Sequence, residues 1–221
     1  MKQSLDGPKE KADVQKEFKG FLEDFTGRYK GKPVTVIGSL VGSPVTSDAA
    51  YFLRFTPCGS IIYTDAIGTL KDDVGIGDII VPTGAVRGEG GSKYHAEEWY
   101  PAVADFDLMR KAAPILEEAF TKLGVNLHYG IIYTTDSFAA ETRDFLEKLQ
   151  KMNIIGIEME TSAIFTIASL QGRKAVAIDI VSDNPLIGKS LVDPLPSEDK
   201  NRQKKSTETL QEVILRIAAE I

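Results

Sequence analysis

Cysteine and histidine are nearly absent from this chain: Cys58 is the only thiol, and His95 and His128 are the only imidazoles. A single thiol excludes an intrachain disulfide and a cysteine-rich metal site, and it suits a reducing compartment, with Cys58 itself read as a small buried hydrophobe. The two histidines lack metal-ligand spacing and have no partnered serine or cysteine nucleophile, so both read as structural. No apolar run approaches the ~18 residues that span a bilayer, and Met1 to Asp6 holds no apolar signal core. A cytoplasmic location without a membrane partner is expected. Neither the phosphate-cradling P-loop nor the dinucleotide glycine fingerprint occurs, which argues against nucleoside-triphosphate chemistry.

Basic charge is also in deficit, with 26 Lys and Arg against 32 Asp and Glu. The main basic cluster, Asn201-Arg202-Gln203-Lys204-Lys205, has no interleaved aromatics, so it reads as a solvated helix start rather than a nucleic-acid groove. What is present is ordinary for one globular domain: 221 residues, 43% hydrophobic and 26% charged.

Periodicity gives an alternating order of elements. A helix is predicted from Lys9 to Phe25, a buried strand over Pro33 to Gly38, and a Gly42-Ser43-Pro44 turn that opens a helix from Val45 to Phe55. Strands follow at Ile61 to Asp65 and Gly77 to Pro82, joined by a polar stretch over 68–75, then a glycine-rich loop from Arg87 to His95. Helices are predicted at Asp107 to Leu123, Thr142 to Met152, Ser162 to Gln171 and Thr207 to Ile221. Strands at Leu127 to Tyr133, Asn153 to Glu158 and Lys174 to Val181 lie between them, and Leu186 to Ser206 reads as an irregular stretch, disordered or a lid. The pattern predicts an α/β fold: one three-layer αβα domain over 25–221 with a mixed, largely parallel twisted sheet, preceded by a helical segment over 1–24.

Two acidic clusters end apolar runs: Ile154 to Glu160, and Ala175 to Asp183. In an open α/β sheet the ligand crevice lies beyond the carboxyl ends of strands, so these carboxylates suggest a site for a polyhydroxylated or partly cationic substrate. Glu158 and Glu160 point the same way only on an extended strand end; the alternative is that Glu158 stabilises the start of the next helix. Asp183 precedes Asn184-Pro185 and is either a turn former or a site residue, while Asp179 reads as a hydrogen-bonded buried carboxylate. Phe138, after Thr134-Thr135-Asp136-Ser137, would pack into the core or stack on a flat ligand. Arg87 with Ser92 offers donors suited to an oxyanion, or is simply a charged residue on an exposed loop.

Six segments in order, Phe25 to Lys32, Gly77 to Val81, Ala85 to Ser92, Pro101 to Phe106, Gly156 to Glu160 and Val181 to Asp183, resemble the nucleoside phosphorylase and nucleosidase superfamily. That superfamily includes purine nucleoside phosphorylases, uridine phosphorylases, and adenosine-type and AMP nucleosidases. The resemblance implies a phosphorylase/hydrolase-like fold. Glu160 and the backbone of Met159 would hold the ribose hydroxyls, Phe138 would stack on the base, and Asp183 would donate a proton to purine N7. Glu158, Ser182, Arg87 and Ser92 would complete the substrate site. No organic cofactor or metal is implied, inorganic phosphate is a possible co-substrate, and a homo-oligomer, dimer or hexamer, is expected.

Asp183 looks like the purine-cleaving branches, whereas Arg87 to Ser92 is more similar to uridine phosphorylases and AMP nucleosidases. The glycine-aspartate-proline-x-arginine segment of family phosphorylases is missing from Met1 to Lys32, and Tyr63 and Ala66 stand where arginine and serine or threonine are usual. Each lost charge-assisted bond costs ~1.5–3 kcal/mol, so phosphate binding should fail unless Arg87, Lys19 or a partner chain substitutes. The resemblance implies phosphorolysis of a purine nucleoside to base and ribose-1-phosphate; the alternatives are a hydrolytic AMP or adenosine nucleosidase, because the expected phosphate ligands are missing, a uridine phosphorylase, or a non-catalytic nucleoside-binding protein.

Overall fold

The computed structural model describes residues 23–38, 40–189 and 192–221. The helix predicted from Lys9 and the separate segment over 1–24 lie outside the described residues, except that Glu23 to Phe25 already belong to a strand. That strand, β1 (Glu23–Tyr29), pairs antiparallel with β2 (Lys32–Gly38) through a turn in which Lys30 and Gly31 both have positive φ. The ribbon forms its own two-stranded sheet, so Lys32, Pro33 and Thr35 are exposed and β2 is not the buried strand expected.

The chain continues through α1 (Ser43–Phe52), β3 (Ser60–Tyr63), β4 (Ala66–Thr69), β5 (Ile79–Arg87), β6 (Ala102–Val103), α2 (Phe106–Thr121) and β7 (Leu127–Thr134). It ends with α3 (Arg143–Lys151), β8 (Gly156–Glu158), α4 (Thr161–Leu170), β9 (Lys174–Ala177), β10 (Asp179–Asp183) and α5 (Ser197–Glu220). The fold is α/β with a mixed sheet, in the order β10-β4-β8-β7-β5-β6. A further antiparallel pairing of β10 with β5 closes five of these strands into a ring. The expected open crevice is therefore replaced by a closed sheet.

β4 and β6 escaped the sequence reading because four and two residues are too few to show a period. The single strand expected over Lys174 to Val181 breaks at Ile178: β9 pairs parallel with β3, and β10 pairs parallel with β4. The break sets Asp179 beside Asp65, whose amide donates to Asp179 Oδ1 at 3.1 Å.

Alternating side chains of most strands divide between two apolar cores, as the two-residue period of a strand requires, and a third, smaller core joins Ile157 of β8 to Leu146 and Leu149 of α3. Ile80, Ala175 and Ala177 join α4 residues Ile164, Phe165 and Ile167 in one. Ile79, Val81, Val176 and Ile178 join α2 and α5, through Leu108, Leu116, Phe120, Leu210 and Ile217, in the other. Burying each such side chain contributes about 1.5–3 kcal/mol, which makes these two interfaces the main source of cohesion. α2 starts at Asp105, whose carboxylate accepts from the Leu108 amide at 2.8 Å, and α3 starts at Thr142, whose hydroxyl accepts from Phe145.

α5 begins ten residues earlier than predicted, so the supposed irregular stretch shortens. Its charged first half is helical because Arg202 pairs with the buried Asp78, and Ser206 donates to Gly77 O at 2.6 Å. The basic cluster does lie near this helix start, but Arg202 is an anchor rather than a freely solvated charge. His128 also meets Asp78, at 3.1 Å, and His95 stacks against Tyr51 with ring centroids 5.4 Å apart. Cys58 is half-buried, with Sγ 3.3 Å from Ser60 O, and is not a core residue.

Candidate active site

α4 carries no side-chain cap of its own, yet its N-terminus is buried. The donors of that first turn must be met from elsewhere. Glu158 at the end of β8 meets them: its Oε2 accepts from the amides of Glu160 and Thr161, both at 2.7 Å, and its Oε1 accepts from Thr134 Oγ1 at 2.5 Å. Burial pushes the Glu158 carboxyl up, and these hydrogen bonds partly oppose the shift. Glu158 is thus the helix cap that the sequence left as its alternative, and the expected pairing of Glu158 with Glu160 on one strand end is corrected.

Glu160 stands at the N-cap position with φ −138°, 3% exposed. Its Oε1 accepts from the Gly42 amide at 2.5 Å, across 118 residues of sequence. Gly42 has φ +82°, a conformation that costs a residue with a Cβ, so the glycine ahead of Pro44 is what presents this N–H. Burial pushes the Glu160 carboxyl up to about 7, against the Gly42 hydrogen bond and with the charges of Glu158 and Asp65 adding to the rise. The Tyr63 hydroxyl reaches Glu160 and Asp65 Oδ2, the latter at 3.0 Å, so its one proton serves them in turn. Asp65 Oδ1 accepts from the Ala66 amide. Asp179 is fully buried, its Oδ2 has no partner, and burial followed by the charge of Glu158 holds its carboxyl well above the usual range.

The second acidic position sits elsewhere on β4. Asp183 ends β10, 8% exposed, and its carboxylate oxygens lie 3.3 and 3.4 Å from where a Cβ on Gly68 would stand. Any larger residue at 68 would press on that carboxylate. Ser182 Oγ lies 2.6 Å from Asp183 Oδ1 and 3.3 Å from Ile67 O, so its one proton serves them in turn. The turn beyond is capped by Asn184, which accepts from the Leu186 amide, so Asp183 is not the turn former. Glu141 is a residue the sequence reading missed: burial, then the charge of Asp183, pushes its carboxyl up to about 7. It follows the short turn Phe138–Ala140, which carries Phe138 at 56% exposure and not in the core. Met159 is partly buried between the two glutamates.

β8 runs antiparallel to β4, with Gly68 opposite Ile157. Extending that register places Asp65 level with Glu160, three residues along the chain from the Asp183 level. At ~3.3 Å per residue these two backbone levels are about 10 Å apart along the line of β4. The expectation that they arrive together at the carboxyl ends of parallel strands is corrected: they mark two ends of one line.

Arg87 and Ser92 do something else. The guanidinium donates to Ser92 Oγ at 2.9 Å, to Glu97 O and Tyr100 O through Nη1, and to Ala96 O through Nη2. Four of its five N–H groups hold the loop, which leaves no fork for an oxyanion. Ser92 is fully buried and donates to the buried Glu89, which also accepts from Ser162 at 3.0 Å. This network and Asp136, which accepts from Ser43 Oγ at 2.6 Å and Gly90 N at 2.8 Å, pin the loop to α1 and α4. Among the described residues no group of three His, Cys, Asp or Glu side chains is placed to hold a metal ion, and no helix is long and apolar enough to cross a membrane.

The chain is similar to proteins of known activity. The uridine phosphorylase of Thermococcus kodakarensis is 32% identical over 172 residues, 72% of this chain and 61% of that protein. The chain therefore spans less than two thirds of that relative's length. A DeoD-type purine nucleoside phosphorylase of Roseobacter denitrificans is 32% identical over 200 residues, 90% of this chain and 80% of its own. The crystal structure of uridine phosphorylase from Vibrio fischeri superposes with a TM-score of 0.83 at 26% identity, covering 95% of this chain and 84% of that one. Since the phosphorylase superfamily profile also matches residues 3–219, the chain belongs to the phosphorylase superfamily.

Proposed function

We propose that this protein cleaves the N-glycosidic bond of a purine nucleoside. The observation that carries the reading is the line along β4, with the backbone level of Glu160 at one end and that of Asp183, about three residues or ~10 Å along the strand, at the other. That separation suits a nucleoside with its ribose hydroxyls on Glu160 and its base at Asp183. Bond breaking leaves positive charge on the sugar, and a carboxylate on the hydroxyls stabilises that charge most in the transition state. The departing base must gain a proton at N7, and Asp183 supplies it, with Glu141 beside it as a second carboxyl that holds protons near neutral pH. Phe138, exposed on the turn ahead of Glu141, is free of the core and can stack on the base. A proton at N7 is a requirement of a purine leaving group, which favours purine over uracil.

The names of the relatives make phosphate the first candidate for the nucleophile. Water is the second, and a specific observation favours it: the position beside Glu160 holds Tyr63 and Asp65, and the Arg87 guanidinium is spent inside its own loop. Base release from adenosine, inosine, guanosine, AMP and uridine, each with and without phosphate, tests both points. Release from a purine nucleoside but not from uridine is expected; cleavage of uridine alone, or no cleavage of any of the five, contradicts the proposal.

A further inference from the structure

Four carboxylates converge where the ribose would lie: Glu160, Asp65, Asp179 and Glu158. Two of them are committed to the scaffold. Glu158 caps α4, and Asp179, fully buried, accepts the Asp65 amide. Glu160 is held by the Gly42 amide and is assigned above to the sugar hydroxyls. Asp65 differs from all three, because it is exposed to solvent while its orientation is set by two hydrogen bonds, from Tyr63 Oη at 3.0 Å and from the Ala66 amide at 2.7 Å. The hydroxyl of Tyr63, a buried residue, bridges Asp65 and Glu160.

Geometry assigns a direction to this carboxylate. The base leaves toward Asp183 at the Gly68 level, and a nucleophile enters C1′ from the side opposite the leaving group. Along β4 that opposite side is the Asp65 level. After burial, the charges acting on Tyr63 and on Glu160 are those of neighbouring carboxylates, which disfavours a multiply charged anion such as phosphate relative to water.

We infer that Asp65 is the general base of a hydrolytic reaction, taking a proton from a water molecule that attacks C1′, with Tyr63 as the positioning residue that ties it to Glu160. The inference rests on the glycosidic-cleavage reading above and adds the nucleophile. The C1′–N9 bond breaks with its electron pair going to the purine, which takes the Asp183 proton at N7. The water oxygen forms the new bond to C1′, and its proton passes to the Asp65 carboxylate. Products are free base and ribose, and solvent returns the proton from Asp65 and restores that of Asp183.

The test measures base and sugar products from inosine and adenosine with wild type, Asp65→Asn, Asp65→Ala and Tyr63→Phe in phosphate-free buffer. Asn keeps one acceptor, Oδ1, for the Ala66 amide, and its Nδ2 can donate to the Tyr63 hydroxyl oxygen, so folding should survive, and thermal melting checks it. Wild type should yield free ribose with or without phosphate. Asp65→Asn should lose a hundredfold or more in kcat with KM within about threefold, as removal of a general base does. Tyr63→Phe should lose about tenfold or less, in keeping with a group that only orients the base. Added formate should restore part of the Asp65→Ala rate and none of the Asp65→Asn rate, since only the shortened side chain leaves room for an external base. Wild-type kcat in Asp65→Asn, or no formate rescue of a folded Asp65→Ala, overturns the role of Asp65. Strict dependence on phosphate with ribose-1-phosphate as product overturns it too, while leaving glycosidic cleavage standing; no base release from any nucleoside removes both.

Discussion

The glycine loop at Arg87 to Ser92 and the line along β4 are both dense in charge, yet their charges are used differently. In the loop, Arg87 spends four donors on Ser92 and backbone carbonyls, and the Glu89 carboxylate takes the Ser92 and Ser162 hydroxyls. Those groups are spent on bonds within the loop and to α4. Along β4, burial and neighbouring acids push Glu160 and Glu141 up to about 7, and Asp179 keeps an oxygen without a partner. Charge that closes internal hydrogen bonds builds a scaffold, whereas charge held at a cost in proton affinity is available for chemistry. Glu158 and Glu160 show the contrast within three residues: one caps a helix and the other is proposed to meet the substrate.

The comparison breaks most visibly at Asp183. Asp183→Asn should lower purine nucleoside cleavage by about 10²–10⁴-fold with little change in melting temperature, read by steady-state kinetics beside calorimetry. A variant that melts early but turns over normally would move Asp183 to the scaffold side. The converse variant is Glu158→Ala, which strips the acceptor from two buried amides and Thr134. It should destabilise by ~3 kcal/mol and lower Tm by roughly 6–12 °C, measured by thermal unfolding.

The pH profile sharpens the contrast at Glu160. With its carboxyl raised to about 7, the anion that stabilises the sugar forms as pH rises, so kcat/KM should climb through pH 7, and Glu160→Gln should flatten that limb. Stability runs the other way. The folded protein holds this proton more tightly than the unfolded chain, so the contribution is complete below the ordinary glutamate range and is lost as pH rises to about 7; Glu141 adds the same sign. Denaturant titrations at several pH values check this. The smallest effect belongs to Asp105→Ala, which removes the α2 cap far from the line along β4: about 1 kcal/mol lost, with unchanged kcat.

Much of this was legible in the sequence where the pattern is long. The helices at Asp107, Thr142 and Ser162 and the strands at Gly77 and Leu127 fall within a few residues of their places, because apolar periodicity and capping residues act locally. β4 was not legible, since Ala66 to Thr69 gains its strand character from pairing with β10 and β8 and not from its own four residues. That omission hid the strand that joins the Glu160 level to the Asp183 level, and with it the place of Asp65 in the proposed site. Glu141 had no local signal, because its raised proton affinity comes from burial and from Asp183, 42 residues away in sequence. The start of α5 was missed because a run of polar residues looks the same whether it is a loop or a helix anchored by one buried pair, here Arg202 with Asp78. Arg87 misled for a related reason: its neighbours Ala96, Glu97 and Tyr100 contribute backbone carbonyls, which no side-chain pattern reveals.

A crystal structure of the protein with a bound purine nucleoside tests the central claim most directly. The account predicts ribose hydroxyls within hydrogen-bond reach of Glu160, the base over Phe138 with N7 facing Asp183, and the C1′ face beyond the sugar turned to Asp65. A nucleoside bound with its sugar at Gly68, or held at the Arg87 loop instead of along β4, would contradict it.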